Sequence, residues 1–98
     1  MKFAAVIEYI QDQDKINAIR SVHRAYLTSL LETGKLLASG PFEDNYGALI
    51  VYEAADAAAA EALLKADPFH DGGIFVRWTI RPWKLLFANT QLMPKSGK

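Results

Sequence analysis

The sequence predicts an α+β domain of order β-α-β-β-α-β, an antiparallel sheet with two helices on one face. Three observations predict it: strand-like alternation near both ends of the chain, one long run free of glycine and proline, and an alanine-rich run halted by a proline. With 98 residues and about half of them apolar, the length suits one domain over 1–98, its last stretch from about 88 to 98 reading as a tail.

Residues 2 to 10 alternate, with Phe3, Ala5, Ile7 and Tyr9 on one side and Lys2, Ala4, Val6 and Glu8 on the other, which is the period of a strand. "QDQD" then offers Asp12 or Asp14 as a helix cap, and no glycine or proline interrupts the chain before Gly34, a natural stop. "KLLASGP" and "YGALIVYEA" read as two hairpin-linked strands joined through the polar "FEDN". Asp56 caps "AAAAEALLKA", a run of strong helix formers that Pro68 bounds. After the turn "DPFHDGG", Ile74, Val76, Trp78 and Ile80 alternate with Phe75, Arg77, Thr79 and Arg81 as a last strand. This order is the ferredoxin-like arrangement, which leaves one sheet face without helices. In the middle strands both alternating sets are apolar, so a second copy of the chain is expected to close over that face as a homodimer. "ANTQLMPKSGK" has no period and is expected to be mobile at its end or packed on a partner.

Eleven basic and eleven acidic side chains cancel, which removes the electrostatic attraction that dominates binding to nucleic acid. The chain has no cysteine, so disulfides and thiolate metal sites are excluded. The apolar start "MKFAAVIEYI" is broken by Glu8 and is followed by no signal-type cleavage site, and no segment is long and apolar enough to span a membrane. A cytoplasmic location is the expectation.

On the first helix, steps of 100° gather Ile16, Ile19, His23, Leu27 and Leu30 into one stripe, with Arg20 and Tyr26 at its edges. A histidine in an apolar stripe is either a core side chain satisfied by one hydrogen bond or a proton carrier, because imidazole exchanges protons near neutral pH. Asp67 is the candidate partner: it ends the second helix, Pro68 holds its backbone extended, and the helix dipole there calls for a nearby donor. The other reading of Asp67 is a simple cap on turn groups. Ser39 and Pro41, at a strand end, together with Phe69, Trp83 and Arg20, are candidates to border a substrate, while His70 in "HDGG" reads as an exposed turn residue. No His-x-x-x-His pair, nucleotide loop or dinucleotide fingerprint occurs, so neither a metal nor an organic cofactor is expected.

Two stretches, "HRAYLTSLLETGKLLASGPF" and "YEAADAAAAEALLKADPFHDGGIFVRWTIRPWKLLF", carry the pattern of a His-x-x-[YH]-Leu helix, a Gly-[RK]-Leu-Leu-x-x-Gly-Pro strand, an Asp-Pro-[FY] turn and a closing x-Pro-[WF] strand. In this the chain resembles the YCII (YciI-like) family across nearly its whole length, departing in the short "FEDNYG" connection where relatives often carry an insert. The resemblance implies a dimeric α+β barrel, related in fold to muconolactone isomerases, with a His and Asp active-site pair that falls on His23 and Asp67. It also implies a link to dehydrochlorinases of chlorinated hydroxyquinones. The expected activity is cofactor-free proton transfer on a small cyclic or aromatic substrate, ending in isomerisation or elimination, the work of an isomerase or a lyase. The alternative is a noncatalytic homodimer that binds a metabolite or partner, with the pair as a buried structural bridge.

Overall fold

The computed structural model describes residues 1–94. Four strands, β1 (Lys2–Tyr9), β2 (Leu36–Pro41), β3 (Gly47–Glu53) and β4 (Phe75–Trp83), form one antiparallel sheet in the order β2-β3-β1-β4. Between them run α1 (Gln13–Glu32), α2 (Ala57–Lys65) and a single-turn helix, α3 (Pro68–Asp71). The fold is therefore α+β and ferredoxin-like, as the element order predicts.

Local chemistry sets the ends of these elements. The Asp12 carboxylate accepts the Lys15 amide at the start of α1, and that of Asp56 accepts the Ala59 amide at the start of α2. At the end of α1, Gly34 takes φ +77°, and the amides of Gly34 and Lys35 return to the carbonyls of Leu31 and Leu30. That is a Schellman closure, which a residue with a Cβ would enter only under strain.

The core lies between the helices and the inner sheet face. Phe3, Ala5, Ile7 and Tyr9 of β1 and Ile50 and Tyr52 of β3 are buried against Ile16 and Leu30 of α1, Ala60 and Leu64 of α2, and Phe69 of α3. Burying side chains of this size is worth roughly 1.5–3 kcal/mol each before the entropy of ordering is counted.

Two expectations change on contact with the structure. The alternation expected in the last strand is broken by a bulge: Phe75 pairs with Tyr9 and Arg77 with Glu8, leaving Val76 as an extra residue. Phe75 therefore joins the core at 6% exposure, while Val76 turns outward at 50%. The segment "DPFHDGG" is more than a turn, because Pro68 opens α3 with its ring pre-set for the first helical position and Asp67 caps it.

Among the described residues no helix covers the outer sheet face, and on it Val6 is 48% and Leu49 41% exposed. Beyond β4 the chain carries Leu86 and Phe87 at 75% and 93% exposure, then a 3-10 turn over Thr90–Leu92 that the Asn89 side chain caps. Residues 95–98 of the expected tail lie outside the described residues. Among the described residues no helix is long and apolar enough to cross a membrane.

Candidate active site

The middle of α1 turns His23 toward the sheet, where the residue is only 7% exposed. Asp67 comes from the link between α2 and α3, where φ −69° and ψ 133° hold its backbone extended ahead of Pro68. The two side chains meet with His23 Nδ1 2.7 Å from Asp67 Oδ1. Asp67 is fully buried, and the same Oδ1 accepts the Phe69 backbone N–H at 2.9 Å.

Asp67 does not face the carbonyl end of α2 that its place in the sequence predicts. The residue lies beyond Ala66, the cap of α2, and serves as the N-cap of α3. Its carboxylate thus faces N–H donors rather than the carbonyl end of a helix, and both readings of the sequence, partner and cap, describe one oxygen. A carboxylate only accepts, so Nδ1 donates its hydrogen and Nε2 is the open nitrogen of the ring. Nε2 has no protein partner among the described residues, and it is not one of the buried unpartnered atoms there, which are Asp67 Oδ2 and Tyr52 Oη.

Phe69 fixes the ring a second way. Its phenyl lies flat on the imidazole, centroids 3.8 Å apart and planes 5° from parallel. Tyr9 and Phe75 meet that phenyl edge-on at 5.4 and 6.0 Å. One hydrogen bond holds the imidazole at its edge and one aromatic face supports it, so little freedom is left to lose when a ligand arrives.

His23 borders a cleft of about 390 Å³. The cleft exists because none of α1, α2 and α3 covers one corner of the sheet. Ser39 and Pro41 of β2 pair with Ile50 and Ala48 of β3, so they lie on the helix side, yet both are exposed. Arg20, Ser39, Pro41 and Phe69 all border this cleft with His23, whereas Asp67 sits behind the ring. Trp83 does not border it; it pairs with Lys2 at the far end of β1 and is 43% exposed. His70 is also elsewhere, and it is not the free turn residue expected, since its ring meets Trp78 edge-on at 5.5 Å. The reason is α3, which presses it toward β4. Among the described residues no three metal-ligating side chains come together.

Sequence reasoning did not single out Arg24, Tyr9 or Asn45, which border the cleft as well. The signal for Arg24 was present, because a residue four beyond Arg20 shares its side of the helix. Asn45 carries φ +67° in the hairpin turn, a conformation that asparagine tolerates better than most residues.

Burial pushes the Tyr9 phenol up to about 12, with the Asp67 charge adding and Arg20 opposing. Tyr52 is raised further by burial and then by Asp67, and Tyr26, whose O–H donates to the Leu63 carbonyl at 2.7 Å, is raised for the same two reasons. All three rings stay protonated around the carboxylate at neutral pH.

The model of the YCII-related domain matches residues 1–84. Protein YciI of Escherichia coli O6:H1 (strain CFT073) is 29% identical over 93 residues, which cover 81% of this chain and 95% of that relative. Protein YciI of Shigella flexneri matches with the same 29% identity and the same coverage. Among solved structures, 5-chloro-2-hydroxyhydroquinone dehydrochlorinase (TftG) from Burkholderia phenoliruptrix AC1100, in complex with 2,5-dihydroxybenzoquinone, aligns with a TM-score of 0.74. It is 22% identical, and the match covers 86% of this chain and 94% of that one. At that identity the likeness establishes a shared fold.

Proposed function

The chain belongs to the YCII-related domain family, and from that premise we propose that it is a small-molecule enzyme that moves a proton on a small cyclic or aromatic substrate without a cofactor. The observation that carries this reading is the 2.7 Å bond from His23 Nδ1 to Asp67 Oδ1 beside an open cleft. His23 Nε2 is the general base, and later the acid that returns the proton. Asp67 is a positioning residue: it fixes the tautomer and stabilises the positive ring formed when Nε2 is protonated. Phe69 supports the ring, and Ser39, Pro41 and Arg20 border the substrate. The outcome is isomerisation or elimination of a small leaving group, the second being the chemistry named for TftG.

The test is turnover with a panel of chlorinated hydroxyquinols and unsaturated lactones. His23→Gln is expected to lower kcat by about 10²-fold or more, the usual weight of a positioned acid–base group. Asp67→Asn is expected to lower kcat with little change in KM, because it disturbs the tautomer rather than the cleft. An unchanged kcat in His23→Gln overturns the reading.

The second reading, a noncatalytic binding domain with a structural His–Asp bridge, is favoured by the double duty of Asp67 Oδ1, which also caps Phe69. It predicts no turnover with any member of the panel and a loss of stability in His23→Gln. Under either reading we propose that residues 1–98 form one cytoplasmic domain and that two copies pair through the outer sheet face. The exposed Val6, Leu49 and Phe42 support that pairing.

A further inference from the structure

We propose that the cleft selects its ligand by negative charge, with Arg20 and Arg24 holding an anionic oxygen of a small ring compound beside His23. This deepens the catalytic reading and rests on it for the role of His23, but the binding claim stands on separate observations.

Arg20, His23 and Arg24 lie on consecutive turns of α1, and all three border the cleft. The spacing of four residues places Arg20 and Arg24 on one side of the helix, next to the turn that carries His23. Neither arginine is in an ion pair among the described residues; the lysine and arginine side chains paired there with Glu are Lys2, Lys65 and Arg77. Among the described residues no Asp or Glu borders the cleft. Asp67 is engaged behind the ring, and Asp44, adjacent in sequence to the cleft residue Asn45, borders a hollow that includes Val6 and Arg77 of the outer face.

The chain as a whole carries no net charge, so two unpaired cations in one acid-free hollow are a local arrangement rather than a general basic surface. Leu27, Leu36 and Ile50 supply low-dielectric walls, and a concave site with such walls concentrates the field of its charges. The field is felt inside, where Arg20 offsets part of the upward push on the Tyr9 phenol. Across the hollow, Ser39 offers a hydroxyl and Asn45 an amide to further oxygens. A volume of about 390 Å³ suits a single substituted ring. A neutral ring would strip water from both guanidinium groups and return no charge, whereas a carboxylate or an ionised enol would restore charge-assisted hydrogen bonds. The ligand class is a small planar ring bearing a carboxylate or an acidic hydroxyl.

The test is an NMR titration of the full chain with benzoate, salicylate and 2,5-dihydroxybenzoquinone, against benzamide and salicylamide as neutral counterparts. The expected result is saturable shifts confined to cleft residues for at least one anion, weakened by added salt and absent for its amide. Arg24→Gln and Arg20→Gln should each weaken that binding by about tenfold while melting like the parent chain. Both arginines are partly or fully exposed, so the variants are expected to fold. Equal binding of acid and amide, unchanged affinity in both variants, or no binding by any anion overturns the proposal. Arginine-dependent binding without turnover upholds it and retires the catalytic reading alone. Turnover of neutral rings with unchanged KM in both variants overturns it and leaves the catalytic reading in place.

Discussion

Val6 and Ile7 are neighbours on β1, yet Ile7 is 1% exposed under the helices and Val6 is 48% exposed on the other face. The contrast repeats on β3, where Ile50 is 1% and Leu49 41% exposed. All four of these side chains are aliphatic, so hydrophobicity alone does not decide their burial. At these positions the helices do, because α1, α2 and α3 all pack on one side. The inner face supplies the core and, at its uncovered corner, the cleft; the outer face keeps apolar area that a second copy would remove from water.

The largest effect expected from this contrast is on stability. Ile7→Ala should cost about 2–5 kcal/mol in chemical denaturation, because it leaves a cavity in the packed layer, whereas Val6→Ala should cost well under half as much in the monomer. Equal costs would break the comparison. Next comes alkaline pH. The Tyr9 phenol is raised from 10.0 to about 12 in the folded chain, so its contribution is whole below pH 10, declines as the unfolded chain ionises, and is gone above about 12. Tyr52 and Tyr26 act in the same direction. Stability measured by denaturation is therefore expected to fall by about 2 kcal/mol or more between those limits, and phenol absorbance should show at least one late-titrating tyrosine.

Smaller still is Tyr52→Phe, which deletes a buried hydroxyl that has no protein partner among the described residues and should leave stability within about 1 kcal/mol of the parent. A larger loss would reveal a hidden acceptor for that hydroxyl. The least change in the fold itself is expected from Leu49→Lys on the outer face, about 0.5 kcal/mol or less in the monomer. The same substitution should shift the mass measured by light scattering from two copies to one, and an unshifted mass would remove the outer face from the proposed pairing.

Much of this architecture was legible because local rules and tertiary demands coincide. Alternation in residues 2 to 10, the Asp12 and Asp56 caps and the Gly34 stop each name an element end, and the sheet uses them all. His23 and Asp67 stood out as local misfits, one polar in an apolar stripe and one acidic at a helix end, and the structure brings them together. What escaped is tertiary. A period cannot show one extra residue, so the bulge at Val76 was read through. A helix of four residues is too short to have a period, so α3 and the stacking of Phe69 on His23 were not visible. The cleft is defined by what the helices fail to cover, a property of packing that no single segment encodes.

The extra residue in β4 also sets how length changes in this strand would be felt. Upstream of Val76 the strand shows Phe75 to the core, and downstream it shows Trp78 opposite Ile7 and Ile80 opposite Ala5. Regular pairing with Val76 still in the strand would require one segment to slip against its neighbour, which would send either Phe75 or the Trp78–Ile80 pair out into solvent. The bulge thus acts as a phase joint, reconciling two stretches whose inward positions differ in parity. Deleting Val76 would close the ladder with both frames kept, whereas deleting a paired residue downstream such as Thr79 would be a frame error in three dimensions.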